Sequence, residues 1–157
     1  MKTLKTLSPI LLSLSLLSIS ACSSMGNSKS ADDLAYTGPT VLDAKTNPGT
    51  FELNRQMAPK TEAQVVADVK DFNAKVTDVR LRFVRVPVEI PMKMSKDKAD
   101  QWVADLSKDQ LRELAVAGHT MNYDANIIAK NAKGQVATSK KPINVAVKAP
   151  DVVPDVS

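Results

Sequence analysis

The sequence has few of the residues from which most metal centres and nucleophilic active sites are built. It contains one cysteine, Cys22, and one histidine, His119. Because a transition-metal site of ordinary ligand number needs several such side chains, the sequence predicts no metal-binding residues. It has only five glycines, and it lacks both a phosphate-binding glycine loop and a G-x-S-x-G nucleophile motif. We therefore expect no catalytic residues, no cofactor and no enzyme activity.

Long runs of like charge are also missing. The net charge of +4 comes from lysines and arginines interspersed with acids, so it does not predict a nucleic-acid partner. Calcium is a weaker alternative, because Asp68, Asp71 and Asp78 lie near the end of a predicted strand but no D-x-D-x-D-G loop is present.

Aromatic residues are scarce, with one Trp, two Tyr and three Phe in the whole chain. This leaves little material for a sugar-binding surface. Trp102 is expected to be a buried anchor of the core, the alternative being an exposed contact for a sugar or protein.

The N-terminus carries a targeting signal. Residues 1–8 include Lys2 and Lys5 but no acid, and residues 9–19 form an apolar stretch too short to span a bilayer as a helix. The next residues, Ile19-Ser20-Ala21-Cys22, resemble the lipobox of bacterial lipoproteins. The resemblance implies that residues 1–21 are a signal peptide and that Cys22 is lipidated as the first mature residue. The same resemblance implies that Ser23, rather than Asp, at the second mature position favours the outer membrane facing the periplasm, with surface display as an alternative.

Removing 21 of the 157 residues leaves 136, enough for one domain. Lys2 and Lys5 leave with the signal, so the net charge falls from +4 to +2. Residues 22–37 are rich in small and polar side chains and are predicted to form a lipidated, flexible tether. We expect a folded domain over residues 38–148 and a disordered tail over residues 149–157. With Cys22 committed to lipid, the domain has no disulfide.

Period-two alternation dominates the domain, as in the run Val79, Leu81 and Phe83, and predicts half-buried strands. Residues 47–49, Asn-Pro-Gly, predict a tight turn within an N-terminal hairpin. Residues 86–94 are apolar but contain two prolines, which predicts an edge strand or bulged loop. Residues 99–106 fit either a strand or a helix.

One short helix is predicted after this point. Ser107 with Gln110 three residues later forms a capping box, and Gly118 is expected to close the helix. About seven short strands and one helix predict an all-β fold, a single antiparallel β-sandwich.

Residues 117–123, Ala-Gly-His-Thr-Met-Asn-Tyr, resemble the E–F turn and F strand of immunoglobulin-like and fibronectin type III domains. The resemblance implies an immunoglobulin-like sandwich in which Tyr123 is the structural tyrosine corner, its hydroxyl bonded to a nearby backbone group. The missing B–F disulfide sets the chain apart from antibody domains.

The most concentrated charges are Arg80, Arg82 and Arg85. They are a candidate partner surface for an acidic group, the alternative being a solvated sheet face that guards an edge. The sequence predicts a non-catalytic envelope lipoprotein, held to the membrane by its lipid anchor, whose domain binds a protein or cell-wall partner. The alternative is a structural or assembly subunit of a larger envelope complex. Neither the partner nor the oligomeric state follows from the residues.

Overall fold

The computed structural model describes residues 38–151. The signal peptide, Cys22, the tether and most of the predicted tail lie outside these residues. The elements in chain order are β1 (Thr40–Asn47), β2 (Thr50–Glu52), β3 (Gln64–Lys70), β4 (Val76–Phe83), β5 (Glu89–Pro91), β6 (Lys93–Met94), β7 (Gln101–Asp105), α1 (Lys108–Leu114), β8 (Thr120–Asn131), β9 (Val136–Thr138) and β10 (Ile143–Lys148). No helix in this part of the chain is long and apolar enough to cross a membrane.

The strands form two sheets that enclose one core. One sheet has the order β1-β3-β7-β6, and the other has the order β2-β10-β8-β4-β5, with β9 also pairing with β8. All pairs are antiparallel except β2 with β10. The expected all-β, immunoglobulin-like sandwich with one short helix is confirmed. Residues 38–151 contain ten strands, where about seven were expected, because four of them are only two or three residues long.

Alternation explains how the core forms. In β3, Val65, Ala67 and Val69 are buried while their neighbours are partly exposed or exposed, and in β4 Leu81 and Phe83 are buried in the same way. Successive side chains of a strand point to opposite faces, so each of these strands turns one apolar row inwards. Trp102 on β7 is only 6% exposed and belongs to the core, as expected.

The predicted N-terminal hairpin is wrong. Although residues 48–49 connect β1 to β2, β1 pairs with β3 in one sheet and β2 pairs with β10 in the other. The turn therefore carries the chain between the sheets. Phe51, which is 1% exposed, fixes β2 in the second sheet by burying its ring in the shared core.

The proline-containing segment 86–94 contributes an edge strand to each of the two sheets. β5 is the edge strand of one sheet and β6 is the edge strand of the other. Met92, 5% exposed, lies at the crossing point and fills the core between them. Pro91 fits this position because an edge strand needs no second row of backbone donors.

Residues 101–105 form β7, which settles the choice between strand and helix for most of residues 99–106 in favour of a strand.

The capping box is present, since the Ser107 hydroxyl accepts from the Gln110 backbone N–H and the Gln110 side chain accepts from the Ser107 N–H. The expectation for Gly118 is wrong. The helix ends at Leu114, four residues earlier, and the Gly118 N–H donates to Pro150 O at 3.1 Å.

Tyr123 lies near the start of β8, at the corner where the chain arrives from α1. Its hydroxyl donates to the carbonyl oxygen of Leu114 at 2.8 Å, a group that has no partner within the helix because it lies in the last turn. Its ring contacts Phe83 edge-to-face at a centroid distance of 6.1 Å. Tyr123 therefore ties the end of α1 to the core.

Replacing Tyr123 with phenylalanine should lower the free energy of unfolding by about 1 kcal/mol, because the ring stays in place but the Leu114 carbonyl loses its donor. Urea unfolding followed by Trp102 fluorescence measures the difference. Thr138→Val is the matched control, since it removes a hydroxyl from an exposed strand residue. Equal stability of the two variants would contradict a structural role for the hydroxyl.

Candidate functional site

The three arginines do not form one free basic patch. Arg80 and Arg82 share the outer face of β4, as the alternation predicted, but both reach Glu89 on β5. Arg80 Nη1 lies 2.9 Å from Glu89 Oε1, and Arg82 Nε lies 2.7 Å from Glu89 Oε2. Arg80 Nε also lies 2.8 Å from Asp78 Oδ2. These two cations and two carboxylates give a neutral surface.

The ion pairs change the titration of this surface. Hydrogen bonds from Arg80 and then Arg82 lower the pKa of Glu89, and the bonds to Glu89 and then Asp78 raise the pKa of Arg80. The four side chains are between 29% and 60% exposed, so the pairs contribute little to stability. Their clearer role is to cover the short edge strand β5 with charge, which disfavours pairing with another chain.

Arg85 lies apart from the other two arginines, in the connection between β4 and β5. It is exposed, and within residues 38–151 it has no ion pair. Of the predicted partner surface, only Arg85 keeps its charge free.

The remaining sequence candidates are dispersed. His119 is exposed in a turn, and its N–H donates to Val116 O at 3.0 Å. The possible calcium ligands have other partners: Asp78 pairs with Arg80, and Asp68 accepts from Gln101 at 3.2 Å in the other sheet. Across the described residues, no three His, Cys, Asp or Glu side chains are grouped to hold a metal ion.

The edge strands of the two sheets differ in length and in how much of their outer backbone is covered. β2, β5 and β6 have three, three and two residues, whereas the edge strand β1 has eight. The outer edge of β2 is partly covered, because the Lys60 N–H donates to Glu52 O at 2.9 Å. β1 forms its backbone ladder with β3 only. It is therefore the longest strand edge open to a partner in the described part of the chain.

A groove runs beside this open edge. It has a volume of about 290 Å³ and lies between residues 41–44 of β1 and residues 139–143, where β9 ends and β10 begins. Val41 and Ile143 are partly buried at its base and pack against the core. Leu42 lies at a bulge in β1 and is 58% exposed. The groove thus combines an apolar lining with a strand edge.

Charge at the groove has a net positive sign. Lys140 and Lys141 line one wall and are exposed, while Asp43 is the one acid in the lining. Ser139 anchors this wall to β8, since its N–H donates to Ile127 O at 2.8 Å and its hydroxyl accepts from the Ile127 N–H at 3.1 Å. We use the name β1 groove for this groove together with the outer edge of β1.

Sequence reasoning missed the β1 groove because its two walls are almost a hundred residues apart in the chain. One local signal was available: Val41 and Leu42 are adjacent apolar residues in a strand that otherwise alternates, which is typical of a bulge.

Comparison with known proteins gives a similar structure but no family. No family model matches the chain, and no curated protein matches it significantly. Among solved structures the chain is similar to CopC from Methylosinus trichosporium OB3b, with 15% identity, a TM-score of 0.37, and coverage of 71% of this chain and 94% of that chain.

Proposed function

We propose that this chain is a non-catalytic cell-envelope lipoprotein, anchored through Cys22 in the outer membrane and facing the periplasm. In this proposal the sandwich is a binding module for another envelope protein. The anchor rests on the sequence Ile19-Ser20-Ala21-Cys22 and the apolar stretch before it. The binding role is carried by one structural observation, the open edge of β1 beside its groove.

The partner that fits the β1 groove is an extended segment of a protein. Such a segment adds a strand to an exposed sheet edge, where main-chain hydrogen bonds supply affinity and side-chain pockets supply specificity. The bulge at Leu42 interrupts regular pairing, so residues 43–47 are the part of β1 that offers a continuous ladder. An apolar side chain of the partner would contact Leu42 and Ile143.

The charges at the groove also indicate which side chains the partner segment should carry. Because Lys140 and Lys141 outnumber Asp43 at the groove, an acidic side chain next to the apolar one is favoured. Both lysines are exposed, so they contribute more to the rate of encounter and to selectivity than to affinity.

Photocrosslinking in cells tests the binding role. A benzoyl-phenylalanine replacing Leu42 should give a discrete adduct with a second protein. The same residue replacing Val84 is the control, because Val84 is similarly exposed, 56% against 58%, but lies in the connection that follows β4. Reversing the wall charge with Lys140→Glu and Lys141→Glu should weaken the adduct at position 42.

The possible outcomes separate the alternatives. The absence of an adduct at position 42, or the same adducts at both positions, would contradict the proposal. An adduct with the mass of two copies of this chain would indicate self-assembly and so favour a structural subunit.

A further inference from the structure

Phe72 is the most exposed large hydrophobic residue in the described part of the chain, at 91%. It lies in the connection between β3 and β4. Leaving a whole aromatic ring in water forgoes the free energy that its burial would provide. Such exposure is typical of an aromatic side chain that contacts a partner or a membrane surface.

The loop that carries Phe72 is held in place by the residues on either side. Asp71 Oδ1 accepts from the N–H groups of Asn73 and Ala74 at 2.8 and 3.0 Å. Asp71 Oδ2 accepts from Asn131 Nδ2 at 2.8 Å. A backbone bond from the Ala132 N–H to Lys75 O, 2.9 Å long, joins this loop to the next one. These hydrogen bonds hold the loop that carries the exposed ring in a fixed position.

Three connections meet at this end of the sandwich: residues 71–75, 95–100 and 132–135. The strand register places these connections together. Near the end of β3, Asp68 is paired with Gln101, the first residue of β7. Val76, the first residue of β4, is paired with Asn131, the last residue of β8. Residues of the first two connections line a common cavity of about 180 Å³, whose rim includes Met94, 49% exposed. We call these three connections, with the strand residues that border them, the Phe72 end.

The Phe72 end is basic, and the opposite end is not. It carries five lysines against three aspartates: Lys70, Lys75, Lys96, Lys98 and Lys133 against Asp71, Asp97 and Asp100. The connections and bordering residues at the opposite end carry six lysines and arginines against seven carboxylates. The exposed ring therefore lies within a net positive surface.

The chain enters the domain at this same end. β1 begins at Thr40, which is paired with Lys70, and β10 ends at Lys148, which is paired with Thr120 at the other end of β8 from Asn131. Residues 23–37 can span at most about 50 Å between Cys22 and the domain. If Cys22 is lipidated, the Phe72 end is the end attached closest to the bilayer.

We propose that the Phe72 end docks on the anionic phospholipid surface in which the anchor is inserted. This inference rests on the lipid anchor of the proposed function. The Phe72 ring enters the boundary between headgroups and acyl chains, and the lysines contact phosphate groups. The tether keeps the domain near the surface, so this weak contact suffices to orient it. The β1 groove is lined by residues 41–44 and 139–143, none of which belongs to the Phe72 end.

Lipid quenching of fluorescence tests the orientation. The lipidated protein carrying Phe72→Trp is reconstituted into vesicles of phosphatidylethanolamine and phosphatidylglycerol that contain brominated acyl chains. The same protein in vesicles of phosphatidylcholine alone provides the charge control. Val84→Trp is the control variant, because Val84 is 56% exposed at the opposite end. The wild-type signal supplies the background, since Trp102 is buried in the core.

We expect Phe72→Trp emission to shift to shorter wavelength and to lose intensity on anionic vesicles, and Val84→Trp emission to stay unchanged. Adding Lys75→Glu and Lys133→Glu should abolish both changes. Protein that floats with the vesicles but is quenched equally at the two positions, or at neither, overturns the docking and leaves the anchor intact. Protein that does not float with the vesicles overturns the anchor and the docking together. A shift that requires a second protein and no lipid would assign the Phe72 end to a protein contact instead.

Discussion

Replacing Asn131 with alanine should lower the free energy of unfolding by about 2–4 kcal/mol, the largest loss we expect from one polar side chain of this domain. Asn131 is 1% exposed. Its side-chain nitrogen donates to Asp71 Oδ2 and Gln135 Oε1, both at 2.8 Å, and its oxygen accepts from the N–H groups of Lys133 and Gln135 at 3.0 and 2.9 Å. Alanine removes all four of these hydrogen bonds at the end of β8.

Urea unfolding followed by Trp102 fluorescence measures this loss. Asn144→Ala is the matched control, because Asn144 is an exposed residue of β10 and should change stability by less than about 0.5 kcal/mol. If the two variants unfold at the same urea concentration, the hydrogen bonds of Asn131 do not stabilise the Phe72 end. The inference that they hold the loop of Phe72 in a fixed position is then wrong as well.

The Asn131 variant should also respond less to acid. The hydrogen bond from Asn131, followed by that from the Asn73 N–H, lowers the pKa of Asp71 in the folded protein. A carboxyl whose pKa is depressed by folding contributes stability above its unfolded pKa, and this contribution is lost as the pH falls through the folded pKa. The wild type should therefore lose more stability than the variant between about pH 5 and pH 2.

The strands that could be predicted from sequence are those with strong alternation. β3, β4 and β8 each place one apolar row in the core, so their existence and inward faces follow from period two alone. The partners of the strands did not follow from this pattern. The pairing of β2 with β10 joins residues almost a hundred positions apart, and a local turn at residues 47–49 cannot distinguish a hairpin from a crossing between sheets.

The same limit applies to the candidate surfaces. Alternation correctly placed Arg80 and Arg82 on one face, but their neutralisation depends on Glu89, which reaches them only because β5 pairs with β4. Phe72 did carry a local signal, since it is an aromatic residue between Asp71 and Asn73 in a loop where polar side chains are usual. The meaning of that signal depends on which end of the domain receives the chain from the proposed membrane anchor.

Replacing Cys22 with alanine should abolish lipid labelling of the protein and, where the signal peptide is removed independently of Cys22, its recovery in the membrane fraction. Each buried methylene of an acyl chain contributes about 0.8 kcal/mol, so several chains give lasting attachment where one chain gives marginal binding. Metabolic labelling with a radioactive fatty acid, followed by fractionation, measures both effects. Ser24→Ala is the control, because it leaves the Ile19-Ser20-Ala21-Cys22 sequence unchanged.

The signal peptide could itself hold an uncleaved Cys22→Ala chain in the membrane, since its apolar stretch would remain attached. The variant is therefore also exported behind an ordinary secretory signal that is removed independently of Cys22. We then expect it in the soluble periplasmic fraction after a high-salt wash, because the Phe72 end alone binds weakly and its lysines are screened by salt. Fatty-acid label on this variant, or its retention in washed membranes, would falsify the assignment of Cys22 as the anchor.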